Sequence, residues 1–347
     1  MAMLSSGASG ETLQQINKVL SFPLPTSLQA GYKDILPWYR STKEFTLETA
    51  NKVFVMKGFS ILQKFKAILS KSFHSSIKDI DFGNSKAATK RINGWVQDMT
   101  KDKIKDLIPR GVITPLTRLV LVNAIYFKSK WAKKFDKTIE KPFRVEIWSS
   151  RPPLKIMRLK YVDVNVPMMM KNDNVFHANM DTLDSDMIEL PYKGNRMVMQ
   201  VLLPREKKFG IYDLEEKLKD QNIHKLFEKE KKKKKVLIGL PKFKLETTLP
   251  LKNKLMKLGL KRMFSSDKAN FSGMTGEFIK KNEELYVSYA VQKAFIEVDE
   301  AGTKIKPGQS GNKDEEKFIA DHPFIFYIRD KESRMLLFQG RVVNPLK

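Results

Sequence analysis

The spacing of apolar residues along this chain alternates between the period of a helix and that of a strand. Apolar residues recur every three to four positions over 61–73 and again over 86–107, with lysines between them, and this spacing is typical of amphipathic helices. We predict further helices at 10–22, with Thr12 as the N-cap, and at 249–258, where a glycine follows the last apolar position.

Continuous apolar runs between these helices predict strands. The run over 118–127, RLVLVNAIYF, is nearly all apolar and rich in β-forming residues, so we expect a strand that is buried on both faces at the centre of a sheet. No segment rich in Pro, Gly or Ser divides the 347 residues, and we therefore predict one α+β domain, 1–347, with a large mixed sheet. Further strands are predicted at 53–55, 187–192, 197–204, 236–246, 294–298 and 318–330.

The chain carries a formal charge of +25, because it has 64 lysines and arginines against 39 acidic residues. Basic residues cluster at Lys229 and Lys231–Lys235, and again over 128–137. Such clusters attract polyanions, including sulfated glycans, nucleic acids and acidic proteins. The simpler interpretation of the first cluster is a solvated loop without a specific ligand. No interleaved aromatic residues accompany it, so no specific nucleic-acid partner is predicted.

The absence of cysteine excludes disulfides, a thiolate nucleophile and a cysteine-based zinc site. The histidines are scattered and no GxSxG motif occurs, so we predict neither an enzyme nor a bound metal or cofactor. No apolar run approaches the length of about 18 residues that a membrane helix needs, and we predict no membrane partner. The histidines are His74, His177, His224 and His322.

Several segments, in a fixed order, carry a resemblance to one protein family. The segment 297–326 places a polar loop between an acidic strand end and a Phe-rich strand. Together with the segments given below, it resembles the serpin family over essentially the whole chain. The resemblance implies an α+β fold of three β-sheets and about nine helices, with a short exposed reactive-centre loop that a protease attacks. The other matching segments are 92–108, 119–136, 188–204, 240–246, 271–276, 320–330 and 340–345.

The resemblance also implies roles for individual residues. It implies a hinge at Glu300, a polar bridge between Asn123 and Gln292 in the central sheet, and Trp131 at the point where the loop would enter that sheet. Serpins usually have a histidine at the position of Gln292. Glutamine donates and accepts hydrogen bonds, so the bridge would survive without pH sensitivity. The reactive loop corresponds to Gly302, Thr303, Lys304, Ile305, Lys306, Pro307, Gly308, Gln309, Ser310, Gly311 and Asn312.

Two features of this loop depart from inhibitory serpins. Two lysines, an isoleucine and Pro307 stand where those relatives have an alanine-rich run, and a proline removes a ladder hydrogen bond from an inserting strand. The sixteen steps from Gly302 to Phe318 cover about 53 Å when extended, roughly six residues fewer than usual. With the attacked bond near Gln309–Ser310, the insertable arm is only about 25 Å long. We therefore predict that insertion stalls near Pro307 and that the loop is stiff.

Two functions from different classes are compatible with these features. The favoured one is a protease inhibitor that holds its target with a short, preorganised loop, with Lys306, Gln309 and Ser310 nearest the tip. Because the short loop is similar to that of atypical serpins from insect silk glands, papain-type cysteine proteases are the implied targets. The alternative is a non-inhibitory serpin that binds a polyanion such as a sulfated glycan, or acts as a chaperone, through its basic surface.

The beginning of the chain and one sequon favour secretion. The first residues resemble the middle of the second serpin helix onward, so we expect an N-terminal helix and strand to be missing, and a signal peptide to have been removed with them. Asn270 begins the sequon Asn270-Phe271-Ser272, which predicts N-glycosylation. On both grounds we predict a secreted, extracellular glycoprotein.

Overall fold

The computed structural model describes residues 1–39, 41–151, 156–228, 232–276, 284–300 and 316–347. The chain divides into two compact units. None of the described helices is long and apolar enough to span a membrane. The single domain expected over 1–347 stays a prediction. The first unit comprises Met1–Thr42, Thr46–Phe127 and Glu246–Ile296, and the second comprises Lys43–Phe45, Lys128–Leu245 and Glu297–Lys347.

Nine α-helices occur among the described residues: α1 (Ala2–Ser5), α2 (Gly10–Leu20), α3 (Pro25–Ile35), α4 (Gln63–Phe73), α5 (Ser85–Met99), α6 (Gly210–Leu218), α7 (Ile223–Glu228), α8 (Leu251–Lys257) and α9 (Ser272–Thr275). The two amphipathic patterns over 61–73 and 86–107 lie on α4 and α5, as predicted. However, α5 ends before 107, because Lys101 and Asp102 take left-handed backbone conformations, with φ of 49° and 63°, which an α-helix cannot contain.

The N-cap predicted for α2 is wrong. The helix begins at Gly10 with Ser9 as its N-cap, so Thr12 lies inside the first turn. The Thr12 hydroxyl accepts a hydrogen bond from the backbone N–H of Asn270 at 2.9 Å and donates to the carbonyl of Lys268 at 3.4 Å. A long-range contact therefore uses the side chain that local capping rules assigned to the helix end.

The described strands are β1 (Phe45–Met56), β2 (Ile77–Ile80), β3 (Leu119–Ser129), β4 (Lys137–Arg151), β5 (Ile156–Met180), β6 (Ser185–Pro191), β7 (Met197–Pro204), β8 (Lys232–Pro241), β9 (Phe243–Pro250), β10 (Val287–Val298), β11 (Glu316–Ile319), β12 (Phe324–Asp330) and β13 (Leu336–Val342). One sheet has five strands in the order β2-β1-β3-β10-β9. The other has eight, in the order β11-β8-β5-β6-β7-β12-β13, with β4 beside β5.

The five-stranded sheet has β3 at its centre, as predicted from the run at 118–127. Successive side chains of a strand point to opposite faces, and both faces of β3 are buried. Val120 and Val122 join a cluster that includes Ile92 of α5. Leu119 and Leu121 join a second cluster that includes residues of α2, α4 and α8. Burial on both faces explains the absence of polar alternation in this part of the sequence.

The eight-stranded sheet is held together by the 25-residue strand β5. This strand pairs with β4 over 156–170, with β8 over 168–177 and with β6 over 176–180. The resemblance implied three sheets. Two of these form one continuous sheet here, because the long strand β5 runs through both.

The segment predicted as one strand at 236–246 is two strands, β8 and β9, in different sheets. The break falls at Lys242, whose backbone N–H donates to the carbonyl of Pro167 at 2.9 Å.

Candidate functional site

The predicted reactive loop, Gly302 to Asn312, lies outside the described residues, and its flanks are described on both sides. On one side is Glu297–Glu300, which we name the pre-loop segment. On the other side is β11, which begins at Glu316. Both flanks belong to the second compact unit, together with the side chains that contact them.

Lys128 binds two carboxylates of the pre-loop segment. Its Nζ lies 3.3 Å from Glu297 Oε2 and 3.1 Å from Asp299 Oδ2. Partial burial lowers the pKa of Lys128, but its hydrogen bonds to Asp299 and Glu297 and their negative charges outweigh burial, and the net shift of the pKa is upward. The three side chains are partly exposed, so water weakens each attraction.

Trp131 holds the backbone of the same segment. Its indole Nε1 donates to the carbonyl oxygen of Asp299 at 2.8 Å, and the side chain is only 3% exposed. The indole stacks on Tyr192, with centroids 4.5 Å apart and planes at 12°, and meets Phe135 edge-on at 5.7 Å. Because both neighbouring rings fix the indole, the hydrogen bond to Asp299 is preorganised.

Glu300, the predicted hinge residue, forms an ion pair with Lys242 at 2.6 Å. The hydrogen bond from Lys242 lowers the pKa of the Glu300 carboxyl below its ordinary value. Lys242 is the residue between β8 and β9. Lys128, Trp131 and Lys242 therefore hold the pre-loop segment at four of its polar groups: three carboxylates and one carbonyl.

The other flank, β11, is also fixed. It pairs in parallel with β8, from Glu316 opposite Val236 to Ile319 opposite Gly239, and the side chain of Phe318 is buried. Glu316 forms an ion pair with Lys234 at 2.9 Å.

Glu316 also lies 3.3 Å from Nδ1 of His177. Burial lowers the pKa of His177, the charge of Lys234 acts in the same direction, and the charge of Glu316 opposes them. The side chains of His177, Lys234 and Glu316 therefore form one interacting group at the start of β11.

Asn123 and Gln292 lie opposite each other on β3 and β10. The amide of Asn123 donates to Oδ1 of Asn51, a residue of β1. The three amide side chains line one cavity of about 240 Å³. The side chain of Asn123 therefore bonds to Asn51, whereas the resemblance implied Gln292 as its hydrogen-bond partner. The role of these residues in loop entry stays a prediction.

The strands β3 and β10 are direct neighbours. They pair in parallel from Leu119 opposite Val287 to Phe127 opposite Ile296. No other described strand lies between them. The sheet is therefore closed at the position where an inserted loop strand would separate them.

The lysine run is part of a strand, not the solvated loop that we expected. Lys232–Lys235 begin β8 and pair with 174–177 of β5, so consecutive lysines point to opposite faces of the sheet. The lysine at 234 binds Glu316. In the second cluster, Lys128 binds the pre-loop segment and Lys133 binds Asp173 at 3.3 Å. Among the described lysines of the two clusters, Lys128, Lys133 and Lys234 are therefore bound to carboxylates.

The remaining candidates do not come together. Asn270 is exposed, and its Oδ1 accepts a hydrogen bond from the N–H of Ser272 at 3.0 Å. His74 and His224 are exposed. The ring of His322 is buried between the Asp321 carboxylate at 2.6 Å and the carbonyl of Pro204 at 2.7 Å. The described residues contain no group of acidic or histidine side chains arranged to hold a metal ion.

Sequence reasoning singled out Trp131 but not the cations that bind the pre-loop segment. Lys128 was noticed only as one of several clustered lysines, and Lys242 was not singled out. Tyr192, which stacks on Trp131, and Asn51, which bonds to Asn123, were also missed. The available signal was the acidic run EVDE at 297–300, which requires nearby cations. The sequence does not indicate which of the 64 basic residues supply them.

Comparison with known proteins identifies close similarities over nearly the whole chain. A family model described as Serpin (serine protease inhibitor) matches residues 1–345. The chain is 34% identical to Serpin B3 of Homo sapiens, over 99% of this chain and 90% of the relative. It is 32% identical to Leukocyte elastase inhibitor A of Rattus norvegicus, with the same two coverages. It is 34% identical to Intracellular coagulation inhibitor 1 of Tachypleus tridentatus, over 99% of this chain and 81% of the relative.

Solved structures show the same similarity. Serpin48, described as a highly specific serpin in the insect Tenebrio molitor, matches with a TM-score of 0.82 and 33% identity, over 99% of this chain and 88% of that one. Native protease nexin-1 with heparin matches with a TM-score of 0.84 and 30% identity, over 99% of this chain and 89% of that one.

The prediction of secretion is wrong. It is contradicted by the matched relatives, one of which is named an intracellular coagulation inhibitor. N-glycosylation at Asn270 depended on passage through the secretory route and loses its support with that prediction.

Proposed function

Because this chain belongs to the serpin family of protease inhibitors, we propose that it inhibits a papain-like cysteine protease through the short loop at 301–315. The loop acts as a tethered bait that the protease binds in its cleft. Inhibition then depends on tight binding of the loop, with little insertion of the cut strand into the sheet.

The observation that carries this proposal is the anchoring of both loop flanks. The pre-loop segment is held by Lys128, Trp131 and Lys242. The other flank is held by the pairing of β11 with β8 and by the ion pair between Glu316 and Lys234. Fixing both ends of a short segment reduces the number of conformations that it can adopt. A loop that is already ordered loses less entropy on binding, which favours affinity.

Strand length supports binding without full insertion. β3 has 11 residues and β10 has 12, which correspond to about 33 and 36 Å. The arm from Gly302 to Gln309 extends to about 25 Å. An inserted arm would therefore leave part of β3 and β10 without a partner, and Pro307 would interrupt the ladder that did form.

The choice of a cysteine protease rests on the loop. Two of the matched relatives are named for leukocyte elastase or for coagulation, and these names favour serine proteases. Serpins trap serine proteases by inserting a long arm, which this chain lacks. A short, stiff loop suits a narrow cleft of the papain type, and its resemblance to the short loops of insect silk-gland serpins points to the same class.

The test is a titration of papain, elastase and trypsin with the intact protein. We expect inhibition of papain at micromolar concentrations or below, reversal on dilution, and little inhibition of the two serine proteases. A complex with elastase that survives denaturing electrophoresis, without inhibition of papain, would overturn the proposal. A variant with Glu140→Gln serves as the control, because Glu140 is exposed and lies outside the loop and its flanks, and it should leave papain inhibition unchanged.

A second candidate function is polyanion binding. The formal charge of +25 favours it, and so does the similarity to a structure of protease nexin-1 with heparin. This function requires no loop chemistry, so it would stand if none of the three proteases were inhibited. It predicts retention on a heparin column at low salt.

A further inference from the structure

A basic groove lies in the first compact unit, and none of its lining residues belongs to either lysine cluster noted in the sequence. It is formed by α8 and by the segment that follows, 261–268, and has a volume of about 360 Å³. Four of its lining residues are basic and none is acidic. The lining residues are Lys252, Met256, Lys261, Arg262, Phe264, Ser265 and Lys268.

The groove combines an apolar floor with a cationic rim. Phe264 is only 6% exposed, and Met256 is half-buried beside it. The ammonium of Lys252 lies 5.8 Å from the centroid of the Phe264 ring. Lys261 and Lys268 are exposed at the edge of the groove. This arrangement suits a ligand whose body packs on the floor while its anionic groups meet the rim.

The backbone of the groove is held in place from α2. Oε1 of Gln15 accepts hydrogen bonds from the N–H groups of both Lys261 and Arg262, each at 2.8 Å. Arg262 Nη1 also pairs with Glu11 at 2.6 Å. These contacts fix the shape of the groove before any ligand binds. Less conformational entropy is therefore lost when a ligand binds.

Few acidic residues neutralise this groove. Asp267 lies next to it, and the hydrogen bond that its carboxylate accepts from the Ser265 hydroxyl lowers its pKa below the ordinary value, so this single carboxylate offsets part of the groove's positive charge. Glu11 is paired with Arg262. The three lysines that line the groove, Lys252, Lys261 and Lys268, form no ion pair with a described residue. By contrast, Lys128 and Lys234 of the sequence clusters are bound to carboxylates. The α8 helix adds two exposed lysines, Lys254 and Lys257.

We propose that this groove binds a polyanion that carries closely spaced sulfate or phosphate groups. The inference rests on the polyanion-binding function proposed above and does not depend on protease inhibition. It locates that function at α8 and 261–268, and it removes it from the lysine run of β8. A sulfated oligosaccharide and an inorganic polyphosphate both carry anionic groups for the rim, but only the oligosaccharide has sugar rings that can pack on the apolar floor, so we expect it to bind more tightly.

The test compares three variants of equal charge. The groove variant carries Lys252→Gln, Lys261→Gln and Lys268→Gln, and leaves Arg262 and its pairs in place. Each variant lowers the formal charge from +25 by three. The first control carries Lys64→Gln, Lys66→Gln and Lys71→Gln on α4, where all three side chains are exposed. The second control carries Lys232→Gln, Lys233→Gln and Lys235→Gln on β8.

Binding is measured by calorimetry with a heparin hexasaccharide and with polyphosphate of similar charge, at two salt concentrations. We expect the groove variant to raise Kd about tenfold or more and to reduce the salt dependence, and each control to change Kd by less than about threefold. The ligand class that binds more tightly identifies the source of the anionic groups. Hydrogen exchange of the wild-type protein, which needs no variant, should show protection over 252–268 when the ligand is added.

Two outcomes would overturn the inference and can be told apart. Equal weakening in all three variants, without local protection, would mean that the charge acts diffusely, so the groove proposal falls while polyanion binding stands. Failure of the wild-type protein to bind either ligand at low salt would remove the polyanion function itself.

Discussion

At the scale of single residues, the loop flank is held by several weak contacts and one strong one. The ion pairs of Lys128 and Lys242 are partly exposed, and such pairs contribute about 0–1 kcal/mol each. The bond from Trp131 to the Asp299 carbonyl is different, because the indole is buried. Loss of the indole would leave the partly buried carbonyl of Asp299 without this donor, and a hydrogen bond of this kind contributes about 0.5–1.5 kcal/mol. Trp131 therefore makes the main contact that holds the pre-loop segment, and the ion pairs of Lys128 and Lys242 add smaller contributions.

The ion pair of Glu300 predicts a small pH dependence of stability. The folded-state pKa of Glu300 is lowered by the hydrogen bond from Lys242. A lowered carboxyl pKa stabilises the folded state above the ordinary pKa, and this contribution is lost as the pH falls through the lowered value. We expect Glu300→Gln to reduce stability by at most about 0.5 kcal/mol at pH 7. Urea unfolding should show that the difference from wild type shrinks as the pH falls below the ordinary carboxyl pKa.

Glu140→Gln is the matched control, since Glu140 is exposed and forms no ion pair with a described residue. It should show no pH-dependent difference. A difference between wild type and Glu300→Gln that grows on acidification would contradict the assigned pairing.

At the scale of elements, the side chain of Asn93 on α5 binds the backbone of the chain that follows the helix. Asn93 Nδ2 donates to the carbonyl of Ile108 at 3.0 Å, and the N–H of Ile108 donates back to Asn93 Oδ1 at 2.9 Å. Ile108 is buried. The side-chain amide of Asn93 therefore pairs with both backbone groups of Ile108, as a neighbouring strand would. These two bonds fix the segment between Met99 and Ile108.

We expect Asn93→Ala to lower the free energy of unfolding by about 1–3 kcal/mol, because it leaves the N–H and the carbonyl of Ile108 unpaired. Urea denaturation measures the change. Gln97→Ala on the same helix is the control, because its contact with Asp102 is exposed, and it should cost less than about 0.5 kcal/mol. A loss of unfolding free energy as small as that of the control would show that the hydrogen bonds of the Asn93 amide do not stabilise the fold.

Elements were predictable where a local pattern coincided with burial. The apolar run at 118–127 became the central strand β3, because burial on both faces requires an unbroken apolar sequence. Predictions failed where a distant partner changed the local preference. The run at 236–246 divided at Lys242, and Thr12 bonded to Asn270 instead of capping its helix.

At the scale of the whole molecule, the proposed mode of inhibition depends on the balance between loop length and strand length. A serpin that inserts its cut loop gains a new central strand, and with it many hydrogen bonds and buried side chains. The arm of about 25 Å is shorter than the strands beside which we expect it to lie, at about 33 and 36 Å. We therefore expect a small gain in stability on cleavage.

We expect cleavage near Gln309–Ser310 to raise Tm by less than about 5 °C, because the arm can form only part of a strand. Differential scanning calorimetry of intact and cleaved protein measures the shift. Protein incubated with the inactivated protease is the control. A rise of about 20 °C or more would show full insertion and would contradict the argument from length.

The sequence by itself determined the family, the mixed helix and strand content, and the shortness of the loop, because these depend on order, spacing and length along the chain. Through the resemblance, the sequence also singled out Trp131, Glu300, Asn123 and Gln292 as candidate site residues. Only the tertiary structure decided which cations meet the pre-loop segment, that Asn123 bonds to Asn51, and that Lys252, Lys261 and Lys268 line one groove beside α8. Those pairings join residues far apart in sequence, and Coulomb attraction depends on distance in space, which the order of residues does not give.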